Sequence, residues 1–163
     1  MVMAENLVPE AAPQSEYLEL LQLVERLHRQ LLDVVKDELD REGLDDLNSV
    51  QALLLFNIGD QELTAGELRT RGHYLGSNVS YNLKKLVDAG YIRHERSAVD
   101  RRSVRVSLTE TGRAVQARLN KLFERQGASL APVGGVDTEQ LPTVNTALAR
   151  IERFWADHIR FRM

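Results

Sequence analysis

The chain has 163 residues, 43% hydrophobic and 28% charged, enough for one well-cored domain with helical extensions. It has no cysteine, which excludes disulfides, thiolate metal sites and thiol redox sensing, and its net charge of −3 taken alone argues against a polyanionic partner. The first 13 residues lack a basic start and a long apolar run, and no stretch approaches the roughly 20 apolar residues of a bilayer span, so a cytoplasmic protein without membrane association is expected.

Residues 1–14 read as a flexible tail. From Ser15, a plausible N-cap, an amphipathic helix is expected to about Arg41, with Gly43 as its stop. Leu20, Val24, Leu27, Leu31 and Val34 follow 3-4 spacing, and Leu21, His28, Leu32, Val35 and Leu39 form a second stripe beside them. So broad an apolar surface on so long a helix reaches beyond a small domain, and a partner subunit is the simplest cover. Asn48-Ser49-Val50-Gln51 matches a capping box. It opens a helix through Leu53, Leu54, Leu55, Phe56 and Ile58, closed by Gly59, whose apolar residues run so far around that it belongs at the domain centre. Thr64 and Glu67 form a second capping box, with Leu63 and Leu68 placed as a hydrophobic staple. A short helix over 65–71 and a turn over 72–76 come next.

The helix after that turn, 76–90, has Ser77 as a candidate N-cap and Gly90 as its stop. Val79, Leu83, Leu86 and Val87 share one face, while Asn78, Tyr81, Asn82 and Lys85 recur at i, i+3, i+4 and i+7 on the other. That second face offers amides that can hold an adenine edge, a phenol, and an ammonium suited to phosphate or guanine. By itself the helix fits an ordinary solvated face equally well. The hairpin pattern downstream of it weighs more. Residues 91–96 read as a strand, 97–102 as a polar tip, and 103–108 as a strand with Val104, Val106 and Leu108 on one face. A groove-sized helix succeeded by a hairpin with a basic tip is the layout of a winged helix-turn-helix.

Charge supports it. Residues 69–105 hold 9 Lys+Arg and 3 acids, a local +6, whereas the rest of the chain holds 12 basic and 21 acidic residues, or −9. A basic centre in an acidic frame is the footprint of a surface that meets phosphates.

Beyond the hairpin, Thr109 caps a helix carrying Val115, Leu119, Leu122 and Phe123, and residues 127–136 form a Gly/Pro break. Asp137-Thr138-Glu139-Gln140 is another capping box, before a last helix with Leu141, Val144, Leu148, Ile151, Trp155 and His158 on a seven-residue repeat. N- and C-terminal helices that both need covering point to a helical dimerisation layer. Histidines 28, 73, 94 and 158 show no metal-ligand spacing and no Gly-rich phosphate loop is present, so no catalytic, metal or cofactor site is expected.

Residues 100–112, Asp-Arg-Arg-Ser-Val-Arg-Val-Ser-Leu-Thr-Glu-Thr-Gly, resemble the D-x-R…L-T-x-x-G wing signature of the MarR family of bacterial transcriptional regulators. Residues 86–92, Leu-Val-Asp-Ala-Gly-Tyr-Ile, resemble that family's passage from recognition helix into wing. The likeness spans residues 15–161. It implies a mainly α fold with a small β-hairpin wing (α+β), in which 47–109 form a winged helix-turn-helix and 15–46 and 110–163 a helical dimerisation layer. It also implies a homodimer on an inverted-repeat operator in double-stranded DNA, here expected to act as a repressor. A small-molecule effector of unknown identity, bound between the two layers, is implied as the release signal. Carried over by position, Arg102 is the wing arginine that enters a minor groove and Asp100 the acid that orients it. Ser77, Asn78, Tyr81, Asn82, Lys85, Arg96 and Arg101 complete the DNA-contact set. The turn 71–76, with its glycines and aromatic, and the long break before the last helix depart from the family pattern. The rival from another class is a winged helix used for protein–protein assembly without DNA reading, which predicts an apolar or acidic face on helix 76–90.

Overall fold

The computed structural model describes residues 12–64, 66–68, 76–96 and 104–162. Two compact units share the chain, one up to Leu119 and one from Asn120 onward.

In the first unit, α1 runs Ala12–Arg41, three residues further upstream than expected, so Ser15 lies inside the helix and does not cap it. Pro13 sits in the first turn, where its missing N–H has no intrahelical acceptor to lose. The end is as expected: Gly43 takes a left-handed φ of +68°, and the Leu44 N–H returns to the Leu39 carbonyl at 3.0 Å. Only the C-terminal part of α1 enters the core, through Val35 and Leu39, while Leu18, Leu23, Leu27 and Leu31 stay exposed. The second helix, α2 (Ser49–Ile58), carries the expected capping box, Gln51 N–H to Asn48 Oδ1 at 2.8 Å and Asn48 N–H to Gln51 Oε1 at 3.2 Å. Ala52, Leu54, Leu55 and Ile58 are almost wholly buried, which places this helix at the centre of the unit. The Ser49 hydroxyl donates to the Leu32 carbonyl at 2.7 Å and ties α2 to α1.

A short strand not foreseen in the sequence, β1 (Leu63–Thr64), comes after α2. It also holds the Thr64–Glu67 capping box, whose reciprocal bonds measure 3.1 and 3.2 Å. Leu63 and Leu68, the staple pair, are both buried, and residues 66–68 are helical. Helix α3 spans Gly76–Asp88, so Ser77 falls inside its first turn instead of capping it. At its end Gly90 has φ +82° and the Tyr91 N–H reaches the Leu86 carbonyl at 2.9 Å. Strands β2 (Ile92–Arg96) and β3 (Val104–Leu108) pair antiparallel, with Ile92 opposite Leu108 and Arg96 opposite Val104. β1 adds to the other side of β3, giving the order β1-β3-β2.

Helix α4 (Glu110–Ser129) begins in a compact knot that explains the L-T-x-x-G string. The Thr109 hydroxyl donates to the Gly90 carbonyl at 2.6 Å and accepts the Gly112 N–H at 3.2 Å, while the Thr109 N–H donates to the Tyr91 carbonyl at 3.1 Å. A Cβ on residue 112 would lie 2.2 Å from the Tyr91 carbonyl oxygen, so only glycine fits.

In the second unit α4 continues through Gly127 to Ser129, shortening the expected break to 130–137. That segment is an ordered reversal, with Gly135 at φ +68° and Val136 N–H bonded to the Leu130 carbonyl at 3.1 Å. The box expected at Asp137 caps a single 3-10 turn, Thr138–Gln140, accepting from Glu139 N–H at 3.1 Å. Helix α5 then runs Leu141–Phe161 with no side-chain cap and Pro142 in its first turn. None of its residues is buried, and Val144, Leu148, Phe154 and Ile159 are exposed.

Candidate nucleic-acid interface

Helix α3 sits on the core through Val79, Leu83 and Leu86, and this fixes which way its other side chains point. Asn78, Tyr81, Lys84, Lys85 and Asp88 lie on the exposed side. Tyr81 is 61% exposed, a large aromatic left in water. Lys85 holds its ammonium over the Tyr81 ring, 5.6 Å from the centroid, a cation–π contact that stiffens both side chains. Lys84 belongs to the same surface but is missing from the residues expected on sequence grounds. Its position one step off the i, i+3, i+4 series hid it, although its charge was visible.

Asn82 departs from expectation. It is half-buried at the rim, and its Oδ1 accepts a hydrogen bond from the buried Gln51 Nε2 at 3.3 Å. Bidentate adenine recognition needs both halves of the amide, and one half is occupied. The sequence could not show this, because the partner lies 31 residues upstream.

Within the sheet, strand alternation separates the basic residues. His94 and Arg96 share the face of Val106 and Val104, which looks toward α3, whereas Arg93 and Arg105 lie on the opposite one. Arg105 pairs there with Glu62 at 3.6 Å and stands opposite Glu95 in the ladder, so its charge is partly balanced. A cleft of about 310 Å³ opens between α3 and the sheet, walled by Leu83, Val87, Val104 and Val106, with Ser80, Lys84 and His94 contributing its polar atoms. The wing-tip residues Asp100, Arg101 and Arg102 lie outside the described residues, as do the side chain of Ser77 and the turn 72–75.

The arrangement of α3 and the small three-stranded sheet also occurs in known proteins. A sequence model of the MarR family matches residues 45–103. The exopolysaccharide II synthesis transcriptional activator ExpG of Rhizobium meliloti (strain 1021) is 39% identical over 145 residues, spanning 89% of this chain and 74% of its own. The chain is a member of the MarR family. It is therefore a DNA-binding transcriptional regulator and not an enzyme. Among solved structures, a mutant MarR from E. coli complexed with operator DNA superposes with a TM-score of 0.67 at 20% identity, over 83% of this chain and 95% of that one. FabT of Streptococcus pneumoniae, in complex with DNA, gives 0.63 at 24% identity, over 86% and 98%. Likeness at these identities bears on the fold, the winged helix described above. Among the described residues of this MarR-family chain, no helix is long and apolar enough to cross a membrane.

Proposed function

We propose that this MarR-family regulator binds a palindromic operator as a homodimer, with α3 in the major groove of each half-site and the wing beside it. The observation that carries this reading is the outer face of α3, where Asn78, Tyr81, Lys84 and Lys85 are exposed and Asp88 is the only acid. A winged helix used for protein assembly calls for an apolar or acidic surface at that place. Arg102, the arginine that the wing signature sets at the tip, supplies a minor-groove contact, and Asp100 orients it. Dimerisation is supported by the exposed leucines of α1 and the exposed apolar residues of α5, and two-fold symmetry in the protein matches two-fold symmetry in the site.

The sequence led to the expectation of a repressor, but the 39% identical relative carries the name of an activator, and we favour activation. The same DNA contacts serve either sign, which depends on where the operator lies relative to the promoter. For a small-molecule effector, the support is the cleft between α3 and the wing, whose apolar walls and neighbouring ammonium suit a small aromatic anion. A ligand seated there alters the spacing of the two DNA-contacting elements.

The test begins with selection of bound duplexes from a random pool, and then measures binding to the selected site at several salt concentrations. Neutralising 6–10 phosphates makes affinity fall by roughly 10³–10⁵ between 50 and 200 mM salt. A shallow salt dependence, or no enriched sequence, overturns DNA reading in favour of protein assembly. Transcription in vitro from a template carrying the site then fixes the sign, a rise with added protein supporting activation and a fall overturning it.

A further inference from the structure

Gln51 has one amide and two partners. Its Oε1 accepts the Asn48 backbone N–H at 3.2 Å, completing the capping box of α2, and its Nε2 donates to Asn82 Oδ1 at 3.3 Å. The first bond sets the direction of the second. A backbone N–H can only donate, so the atom of Gln51 that faces Asn48 is its oxygen, and its –NH₂ faces Asn82. An –NH₂ can only donate in turn, so Asn82 directs its oxygen inward and its own –NH₂ outward. Gln51 is 7% exposed, and its amide is held at both ends. Asn82 stands at the rim of the exposed face of α3, beside Asn78 and Lys85. No described side-chain polar atom is buried without a partner, and among the described residues none takes the Asn82 Nδ2 hydrogens.

We propose that Gln51 is a specificity-determining positioning residue, which presents Asn82 to DNA as a donor only. This rests on the reading of α3 as the helix that enters the major groove. A donor-only amide suits the guanine edge, whose N7 and O6 are both acceptors, and disfavours cytosine, whose exposed group there is an amine. The adenine preference that a free asparagine would bring is lost, because its acceptor half is committed inside the protein.

The experiment selects bound duplexes from a random pool with the full chain, with Gln51→Glu and with Asn82→Ala, each checked by thermal melting. Glutamate keeps the cap, since one carboxylate oxygen still accepts the Asn48 N–H. Its other oxygen faces Asn82 as an acceptor and turns that amide over, with its oxygen outward. In the wild type, guanine should be preferred at one base pair of each half-site by about fivefold, the discrimination of a single hydrogen bond. In Gln51→Glu that position alone should move to cytosine or adenine, whose amines donate. Asn82→Ala should flatten the same position and leave the others as they are. Identical preferences for wild type and Gln51→Glu overturn the proposal, as does an Asn82→Ala that lowers affinity evenly over all sequences. If Gln51→Glu does not fold, Gln51→Met, which leaves the Asn82 amide unconstrained, takes its place: that position should then move toward adenine, and an unchanged guanine preference overturns the proposal. A wild type that enriches no sequence overturns DNA reading itself and this inference with it, whereas enrichment unchanged by either variant overturns only the inference.

Discussion

Tyr91 shows how much one side chain can hold at the join between helix and wing. It is buried, and its hydroxyl donates to Asp46 Oδ1 at 2.7 Å, linking the turn after α3 to the loop after α1. Burial foremost, then the hydrogen bond to the Asp46 carboxylate and the negative charge of that carboxylate, pushes its pKa up to about 12 from the ordinary 10.0. The folded state thus favours the protonated phenol, and its contribution is complete below pH 10 and is lost as pH rises toward 12. Tyr91→Phe should cost roughly 1 kcal/mol at neutral pH, the net worth of one hydrogen bond, and should lessen the fall in stability across that alkaline window. Denaturant midpoints from pH 8 to 12 check both, and parallel curves for the two proteins would show that folding leaves the phenol's pKa unshifted. Tyr91 was legible in the sequence only as the first residue of a strand. Its partner lies 45 positions away, and no local pattern marks so distant a bond.

At the scale of elements, what the sequence announced were the local devices. The capping boxes at Asn48 and Thr64 and the glycine stops at 43, 59 and 90 depend on residues within one turn of each other, and all stand where expected. Ser15 and Ser77 show the reverse: each is a good cap residue by type, yet the residue before it is already helical, so neither caps its helix. β1 went unseen because two residues carry no periodicity, and only pairing with Val106 and Arg105 makes them a strand. The exposed basic face was legible in outline, but the rim was not. Asn82 lies just off the centre of that face, where the choice between water and Gln51 is made by the neighbouring helix. The sheet's alternation also sorts its arginines. Arg96 lies on the α3 side at the end of β2, and in the complex proposed above it meets a phosphate, so Arg96→Ala should weaken operator and random DNA alike. The slope of log affinity against log salt should become shallower by about one unit for each phosphate left unneutralised. A weakening confined to the operator would make Arg96 a base reader instead.

Across the whole molecule, the unsatisfied surface lies at the two ends of the chain. Leu23, Leu27 and Leu31 on α1, and Val144 and Leu148 on α5, each set one turn apart along its helix, remain exposed in the single chain, as does Phe154, too many apolar side chains to be incidental. A second copy covers them in the homodimer proposed above. Leu148→Glu should shift sedimentation toward the monomer at micromolar concentration, while costing the isolated chain little, since substitutions at exposed positions usually fall within about ±0.5 kcal/mol. A dimer undisturbed by that charge would place the interface elsewhere. The knot around Thr109 has a bearing on timing as well. Helix α3 ends at Asp88 with Gly90 in the turn that follows, the wing starts at Ile92 and α4 opens at Glu110, and one threonine with two glycines bonds all three. Amides in segments so joined open as one cooperative block rather than fraying separately. In hydrogen exchange, the protons of Tyr91, Thr109 and Gly112 should be lost at a common rate, slower than those of the exposed strand β2. Anything that loosens the start of α4 would then be felt at α3 within the same opening event.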